Sequence, residues 1–431
     1  MSRLYISAGK ILDKVSRKRA SIKTLALNGK HNGKQKIYAL VAETHKYADV
    51  IERLIESCGT ELKETNESVL RIMIFEHLFG KGIKGGGALK RLILKYDKNL
   101  RETLSKIKKE KNVKNNIELL PENLRGRGKS NRPRYVRVNT LLMKVSDDRF
   151  LKLVKAHGAR KDEHVPNVYK FPPNTDLHDH ILVRDGCLIL QDKSSCFPAY
   201  VLTDTLDVRD GTVIDACAAP GNKTSHLASI LSGRLGDGEI VAFDKDPKRL
   251  ELLTRRMKEA GASSVVRTKL QDFLQTELNN DNVRAVLLDP SCSGSGMRHS
   301  DTSYDPERLK HLSAFQKRCL KHALSFPNVR RVTYSTCSVY REENEDVVIE
   351  VLKEFGSDFK LIPCIPKWER RGLMDCEGLT KEQSKCLLRV DPEKDLIGGF
   401  FVACFQRKKK KRKRLSKKRR EKKRRRLLLD E

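Results

Sequence analysis

The chain has 431 residues, 38% of them hydrophobic, and Lys plus Arg outnumber Asp plus Glu by 88 to 56 for a formal charge of +32. That length and apolar content exclude a disordered chain and suit roughly three domains, and the basic excess favours a polyanionic partner over a small neutral substrate. Eleven cysteines without a CxxC pair, no apolar run near the roughly 18 residues of a membrane span, and a start from Met1 to Arg19 with basic residues but no apolar signal core predict a reduced intracellular protein, monomeric, with neither metal site nor membrane segment.

Residues 1–125 read as a helical domain. Leu4, Ala8, Ile11, Leu12 and Val15 recur at helical spacing, as do Tyr38, Val41, Ala42 and His45, then Val50, Leu54 and Ile55. Gly80-Lys81-Gly82-Ile83-Lys84-Gly85 fits GxGxxG, but a helical run precedes it instead of a strand. It reads as a hinge between helices, with Lys81, Lys84, Lys90 and Arg91 placed to meet phosphate.

A polar linker follows at 126–133. Residues 134–190 then read as a small α+β unit: a strand over Tyr135–Leu141, a helix over Ser146–His157, and short β pieces through Tyr169 and Cys187–Gln191.

From 191 to 406 the rhythm becomes strand then helix. Val213–Cys217, Glu239–Asp244, Ser264–Arg267, Ala285–Asp289 and Arg330–Ser335 are the predicted strands. Lys223–Leu231, Pro247–Ala260, Pro306–Ser325 and Glu342–Phe355 are the predicted helices between and after them. Such alternation predicts an α/β fold with a parallel sheet covered on both faces, whose ligands gather at the carboxyl ends of the strands.

The loop after the first of these strands is Cys217-Ala218-Ala219-Pro220-Gly221-Asn222-Lys223. Its small side chains admit a ligand close to the backbone, and the helix start behind it presents N–H groups. The spacing matches neither the dinucleotide glycine signature nor the phosphate-loop lysine motif. At the second strand end Asp244 suits two ribose hydroxyls, and after the third Asp272 suits an adenine amino group, so the three ends read as an adenosine pocket.

The fourth end carries Asp289-Pro290-Ser291-Cys292 and the fifth Thr336-Cys337-Ser338. One cysteine alone reads as an inert small hydrophobe. Two at adjacent strand ends, each in a loop of small polar residues, point to alkylation of a pyrimidine at C5. That carbon is a poor nucleophile until a thiolate adds at C6, after which the ring takes a methyl group from a sulfonium donor. A thiol with a pKa near ~8.5 needs a nearby cation or N–H dipoles to ionise, and Lys223 or the helix starts can serve. Asp289 is placed to supply a proton or hydrogen bond at the pyrimidine N3 edge. Either cysteine could be the nucleophile on spacing alone, and the C5 proton could leave to the other cysteine or to water.

Residues 407–431 hold 17 basic and 3 acidic residues, which account for +14 and leave +18 on the rest. The block cannot bury itself and is expected to be a disordered nuclear or nucleolar address and a non-specific RNA contact.

The set Cys217-Ala-Ala-Pro-Gly-Asn-Lys223, Asp289-Pro-Ser-Cys292 and Thr336-Cys337-Ser338, with Arg137-Val-Asn139 upstream, resembles the Sun-domain (Fmu-type) RNA cytosine-5 methyltransferases over about residues 134–406. Leu4-Tyr5, Gly85-Gly86-Gly87 and Glu342-Glu343-Asn344-Glu345-Asp346 are most similar to the fifth-member branch of that family, which acts on large-subunit ribosomal RNA. The resemblance implies a Rossmann-like class I core that uses S-adenosyl-L-methionine, an RNA-recognition-like unit at 134–190, and a place in the nucleolus on pre-ribosomal RNA. It implies Cys337 as nucleophile, Cys292 as the aid to product release, Asp289 as support for the base, and Arg249 as a further cofactor contact. Arg134, Arg137 and Lys193 are candidate phosphate contacts. Ser291 stands where the family often has a second proline. A binding-only ribosome-assembly factor, or the same reaction on transfer RNA, are the alternatives.

Overall fold

The computed structural model describes residues 3–16, 22, 25–26, 33–58, 67–85, 87–120, 131–278, 282–297 and 304–409. They fall into two compact units, 3–120 and 131–409. Most of the linker and the basic block from 410 onward lie outside the described residues.

The first unit is helical: α1 (Arg3–Ser16), α2 (Lys34–Lys46), α3 (Ala48–Glu56), α4 (Glu67–Leu78), α5 (Ala88–Lys95) and α6 (Asp97–Glu110), then a 3₁₀ turn at Asn116–Leu119. The residues picked out by their spacing face inward: Ala8, Ile11, Val41, Val50 and Leu54 are buried together with Ile51, Ile72, Ile93 and Leu100. The glycine-rich stretch is the connection between α4 and α5. Gly82 and Gly85 take positive φ there, which a side chain would resist.

The second unit contains two sheets. The smaller, antiparallel in the order β2 (Arg160–Lys161), β3 (Val168–Phe171), β1 (Arg134–Val138), β4 (Leu188–Leu190), carries α7 (Asp148–His157) and α8 (Ile181–Arg184). Asp147 caps α7, accepting from Arg149 N–H, and Gly158 ends the helix in the left-handed region.

α9 (Lys193–Thr203) leads into the larger sheet. Its parallel part runs β7 (Val266–Leu270), β6 (Glu239–Asp244), β5 (Thr212–Asp215), β8 (Val283–Leu288), β9 (Arg331–Thr336), with α10 (Asn222–Leu231), α11 (Pro247–Glu259) and α12 (Pro306–Ser325) as crossovers. β5 and β9 are buried along their whole length, as strands covered on both faces must be. α13 (Glu345–Phe355) follows β9.

Three further strands, which periodicity did not mark out, complete the sheet: β10 (Phe359–Leu361), β11 (Leu388–Val390) and β12 (Phe400–Arg407). A short helix, α14 (Lys381–Cys386), precedes β11. β12 lies antiparallel between β9 and β10, and β11 pairs with it as well. Phe401, Val402, Ala403, Cys404 and Phe405 are each fully buried, so β12 joins the core of the parallel strands to the carboxyl-terminal segment.

Candidate active site

Sheet order decides which loops meet. Because β8 lies between β5 and β9, the loops leaving the carboxyl ends of these strands are neighbours, while β6 and β7 carry theirs to one side. The order reverses between β5 and β8, the place where open α/β sheets bind ligands.

The β5 loop is built tightly. Ala218 N–H donates to Phe243 O at 2.9 Å, and Gly221 N–H to Ala218 O at 2.8 Å. These two amides are therefore engaged within the protein, so fewer N–H groups face a ligand than the sequence led us to expect. Gly221 has φ 102°, and a Cβ there would sit 2.8 Å from Met257 and 2.9 Å from Leu253, so glycine alone lets α11 pack against the loop. Beneath it Asp215 Oδ2 accepts from Thr224 Oγ at 2.8 Å, whereas the buried Asp215 Oδ1 has no partner. Burial pushes this carboxyl up to about 7.

Asp244 ends β6 as a buried carboxylate, 6% exposed. The cap of α11 is Asp246, accepting from Lys248 and Arg249 N–H, which leaves Asp244 for other work. Asp244 accepts from Asp246 N–H at 3.0 Å, and Arg249 lies 3.3 Å away. The same Arg249 donates to Ala219 O at 2.7 Å, so its guanidinium ties α11 to the β5 loop. Asp272 follows β7 and caps a 3₁₀ turn, accepting from Leu274 N–H at 3.0 Å.

The two thiols meet. Cys292, in the loop after β8, and Cys337, directly after β9, have their sulfurs 3.2 Å apart. Lys223 Nζ, from the first turn of α10, lies 2.7 Å from Asp289 Oδ2, and Ser335 Oγ donates to Asp289 Oδ1 at 2.6 Å. Asp289 is thus an acceptor on both oxygens. The residue expected to supply a proton or hydrogen bond at the ring nitrogen is here the partner of Lys223 and of Ser335. Burial works against the Lys223 ammonium, but the charge and hydrogen bond of Asp289 outweigh it and raise its pKa.

The sulfurs are not equivalent. Donation from Cys292 S–H, aided by the charge of Lys223, lowers the pKa of Cys337 against the opposing effects of burial and Asp289. That same hydrogen bond, with burial and the charges of Glu343 and Asp289, holds Cys292 well above its ordinary value. The two shifts run in opposite directions, down for Cys337 and up for Cys292. Cys217 is raised well above the ordinary range by burial and offers only its backbone.

Several residues that hold these loops were not picked out individually from sequence. Gly296 N–H donates to Cys337 O at 2.9 Å and Gly399 N–H to Gly296 O at 2.8 Å, joining the Cys292 loop to the Cys337 loop and to the start of β12. Asn344 donates to Ser338 O and accepts from Thr336 Oγ, fixing the Cys337 turn. The sequence signals for these were small residues clustered at strand ends and, for Asn344, the Glu342–Asp346 motif.

Two candidate phosphate contacts are overturned. Arg137 is 1% exposed. Its guanidinium donates to Gln191 Oε1 at 2.9 Å and Ser225 Oγ at 2.7 Å, with longer contacts to Ser229 Oγ and Asn222 O. It is an internal clamp between the small sheet and α10. Lys193, 5% exposed, pairs with Asp162 Oδ2 at 2.6 Å, lies 2.8 Å from His164 Nδ1, and stands over the Trp368 ring at 5.4 Å. Arg134, at the start of β1, is half-buried and keeps its candidacy. Among the described residues no group of three or more metal-ligating side chains is gathered, and no helix is long and apolar enough to cross a membrane.

Comparison with known proteins gives the same picture. Residues 203–406 match the family described as 16S rRNA methyltransferase RsmB/F, residues 35–120 the N-terminal domain of NOL1/NOP2/Sun domain family member 5, and residues 148–191 the ferredoxin-like domain of that member. The chain is 39% identical to the mouse 28S rRNA (cytosine-C(5))-methyltransferase, covering 94% of this chain and 91% of that protein. It is 38% identical to the fission yeast 25S rRNA (cytosine-C(5))-methyltransferase rcm1, covering 93% and 90%. A methyltransferase homolog from Pyrococcus horikoshii superposes with a TM-score of 0.54 at 25% identity, covering 83% of this chain and 99% of its own. NSun6 from the same organism, solved with SFG, shares the fold with a TM-score of 0.53 at 19% identity, covering 78% and 97%. With both sulfurs in contact over a methyltransferase sheet and relatives matched along nearly their whole length, this chain belongs to the NOL1/NOP2/Sun domain family member 5 group of cytosine-C5 methyltransferases.

Proposed function

We propose that the protein uses S-adenosyl-L-methionine to form 5-methylcytosine in large-subunit ribosomal RNA, through a covalent bond between Cys337 and C6 of the target base. The observation that carries this reading is the 3.2 Å contact between Cys292 and Cys337 beside the Lys223–Asp289 pair. The choice of RNA is supported by the mouse and fission yeast relatives, whose names give 28S and 25S rRNA.

The residues present fit the cofactor. Asp215 Oδ1 is a buried acceptor with no partner, which suits a cationic amino group. Asp244 is a buried carboxylate one strand away, and the walls from Ala216 to Gly221 are small. The backbone of Cys217, Ala218, Ala219, Pro220, Gly221, Asn222 and Lys223 would hold it with Asp244, Asp272 and Asp289, and Arg249 would act by fixing Ala219 and Asp244. When bound, the cofactor supplies an electrophilic methyl group.

In the reaction, the Cys337 thiolate donates an electron pair to C6, and the electrons of the C5–C6 double bond shift toward N3, where Lys223 supplies a proton. C5 is then electron-rich enough to take the methyl group. Loss of the C5 proton to water restores the double bond and expels the Cys337 sulfur, to which Cys292 S–H donates as the bond breaks, while the proton on N3 returns to Lys223. Cys292 thereby assists release by stabilising the leaving thiolate, and Asp289 acts by holding Lys223 in place and charged.

This reading assigns residues 134–190 to RNA recognition, with Arg134 as the remaining phosphate candidate of the three, and 191–406 to catalysis. It places a monomer in the nucleolus on the pre-ribosome, with the basic residues from 407 onward as address and RNA anchor. The test is a pair of variants. Cys292→Ala is expected to accumulate an RNA adduct that survives a denaturing gel and disappears when Cys337→Ala is added. Bisulfite sequencing of ribosomal RNA from cells carrying only Cys337→Ala is expected to lose the modified cytosine, and an unchanged level would overturn the reading.

A further inference from the structure

The turn before α13 contains a carboxylate that the reaction above does not use. Glu343 is 0% exposed. Its Oε1 accepts from Ser293 N–H at 2.8 Å and Gln316 Nε2 at 3.0 Å, and its Oε2 from Ser293 Oγ at 2.6 Å. None of these partners is a cation, so the charge is solvated by neutral donors alone. An amide in its place could accept from Ser293 as well, so the loop geometry does not by itself require a charge. Retaining a buried anion without a counter-ion is costly, which directs attention to what its field acts on.

The loop it holds carries one of the two sulfurs. Ser293 is the residue after Cys292, so the carboxylate is bonded to the very peptide that leaves the Cys292 Cα. At the same strand ends Lys223, from α10, is paired with Asp289, from the end of β8. The phenol of Tyr334, in β9, donates to the Glu343 carbonyl. Farther along the same turn Glu345 is paired with Arg389 and adds no free charge. The carboxylate with no cation among its partners is thus bonded to the loop that carries Cys292.

We propose that Glu343 is a positioning residue: its buried carboxylate fixes the Cys292 loop and, by its charge, keeps the proton on Cys292 so that Cys337 is the sulfur that ionises. The elevated pKa of Cys292, to which the charge of Glu343 contributes after the Cys337 hydrogen bond, burial and the charge of Cys337, agrees with this. The inference rests on the reaction assigned above and adds to it the device that decides which of two touching thiols is the nucleophile.

The experiment is alkylation of the full-length protein with iodoacetamide from pH 6 to 9, without RNA, with initial rates at Cys337 and Cys292 read from their separate peptides by mass spectrometry. In the unaltered chain Cys337 reacts first. In Glu343→Gln the ratio of the Cys337 to the Cys292 rate is expected to fall by at least about tenfold, the equivalent of one pKa unit. A folded variant with an unchanged ratio overturns the proposal. Should Glu343→Gln not fold, Gln316→Lys sets a cation against the same carboxylate from α12, and the same fall or its absence decides. An adduct trapped in Cys292→Ala with an unchanged alkylation ratio in Glu343→Gln sinks the role of Glu343 alone. A shifted ratio with no trapped adduct supports that role and overturns the reaction.

Discussion

Arg137 separates two accounts of the same residue, a phosphate contact and an internal clamp, and Arg137→Met distinguishes them. The guanidinium makes two short bonds, 2.7 Å to Ser225 Oγ and 2.9 Å to Gln191 Oε1, and two longer ones. Ser225 keeps its own bond to Asn222 O, and Gln191 still donates to Ser195 O, so neither side chain is stripped of every partner. Taking only the two short bonds, at the lower end of about 1.5 kcal/mol each for a charged donor, the loss is about 3 kcal/mol. Burial also pulls the Arg137 pKa down to about 10, a sign that desolvation returns part of that figure when the charge is removed. The assay is urea unfolding followed by circular dichroism, paired with RNA binding at several salt concentrations. A clear drop in the midpoint with an unchanged salt slope is expected. A stable variant whose slope falls by about 0.7, the share of one phosphate on single-stranded RNA, would refute the clamp.

Lys193→Met leaves Asp162, whose side chain is 4% exposed, without its cation. A loss of about 3–5 kcal/mol in urea unfolding is expected, and a change below about 1 kcal/mol would rule out a buried pair. In Gly296→Ala the new Cβ would lie 2.3 Å from Gly399 O. A displacement of about 1 Å in the Cys292 loop lowers methyl transfer on the order of 100-fold, with activity near that of the unaltered chain as the contrary result. Asp215 has its pKa raised from 3.8 to about 7, so between those values the folded chain keeps a proton the unfolded chain has lost. Stability therefore falls as pH rises through that window and levels off above it. Asp215→Asn is expected to flatten this part of the profile, and an unaltered slope would disprove the shift.

Local pattern carried most of the central sheet. Glu239–Asp244 and Pro306–Ser325 begin and end where periodicity, a strand-end Asp and a first-turn Pro put them. The site loops were legible because strand-end positions are functional in this architecture whatever the side chains. Partners distant in sequence were not legible. Arg137 and Lys193 look like surface charges until Gln191, Ser225, Asp162 and Trp368 close around them. Glu343-Asn344-Glu345 has the composition of a solvated turn, yet each residue is 0% exposed because Ser293, Ser338 and Arg389 come from elsewhere to satisfy it. β10 and β11 span three residues each and are held by pairing with β12. α9 was missed because Pro198 lies inside it, although Asp192 caps its start.

The bond from Gly399 to Gly296, and from there to Cys337, has a consequence for the order of synthesis. Both sulfurs, the lysine and the aspartate leave the ribosome well before Phe400. The nascent chain thus carries every reacting group while the strand that closes the sheet, and the glycine that stitches the two loops, are still missing. A truncation just short of β12 is expected to abolish methyl transfer in a methylation assay while deleting none of the reacting groups.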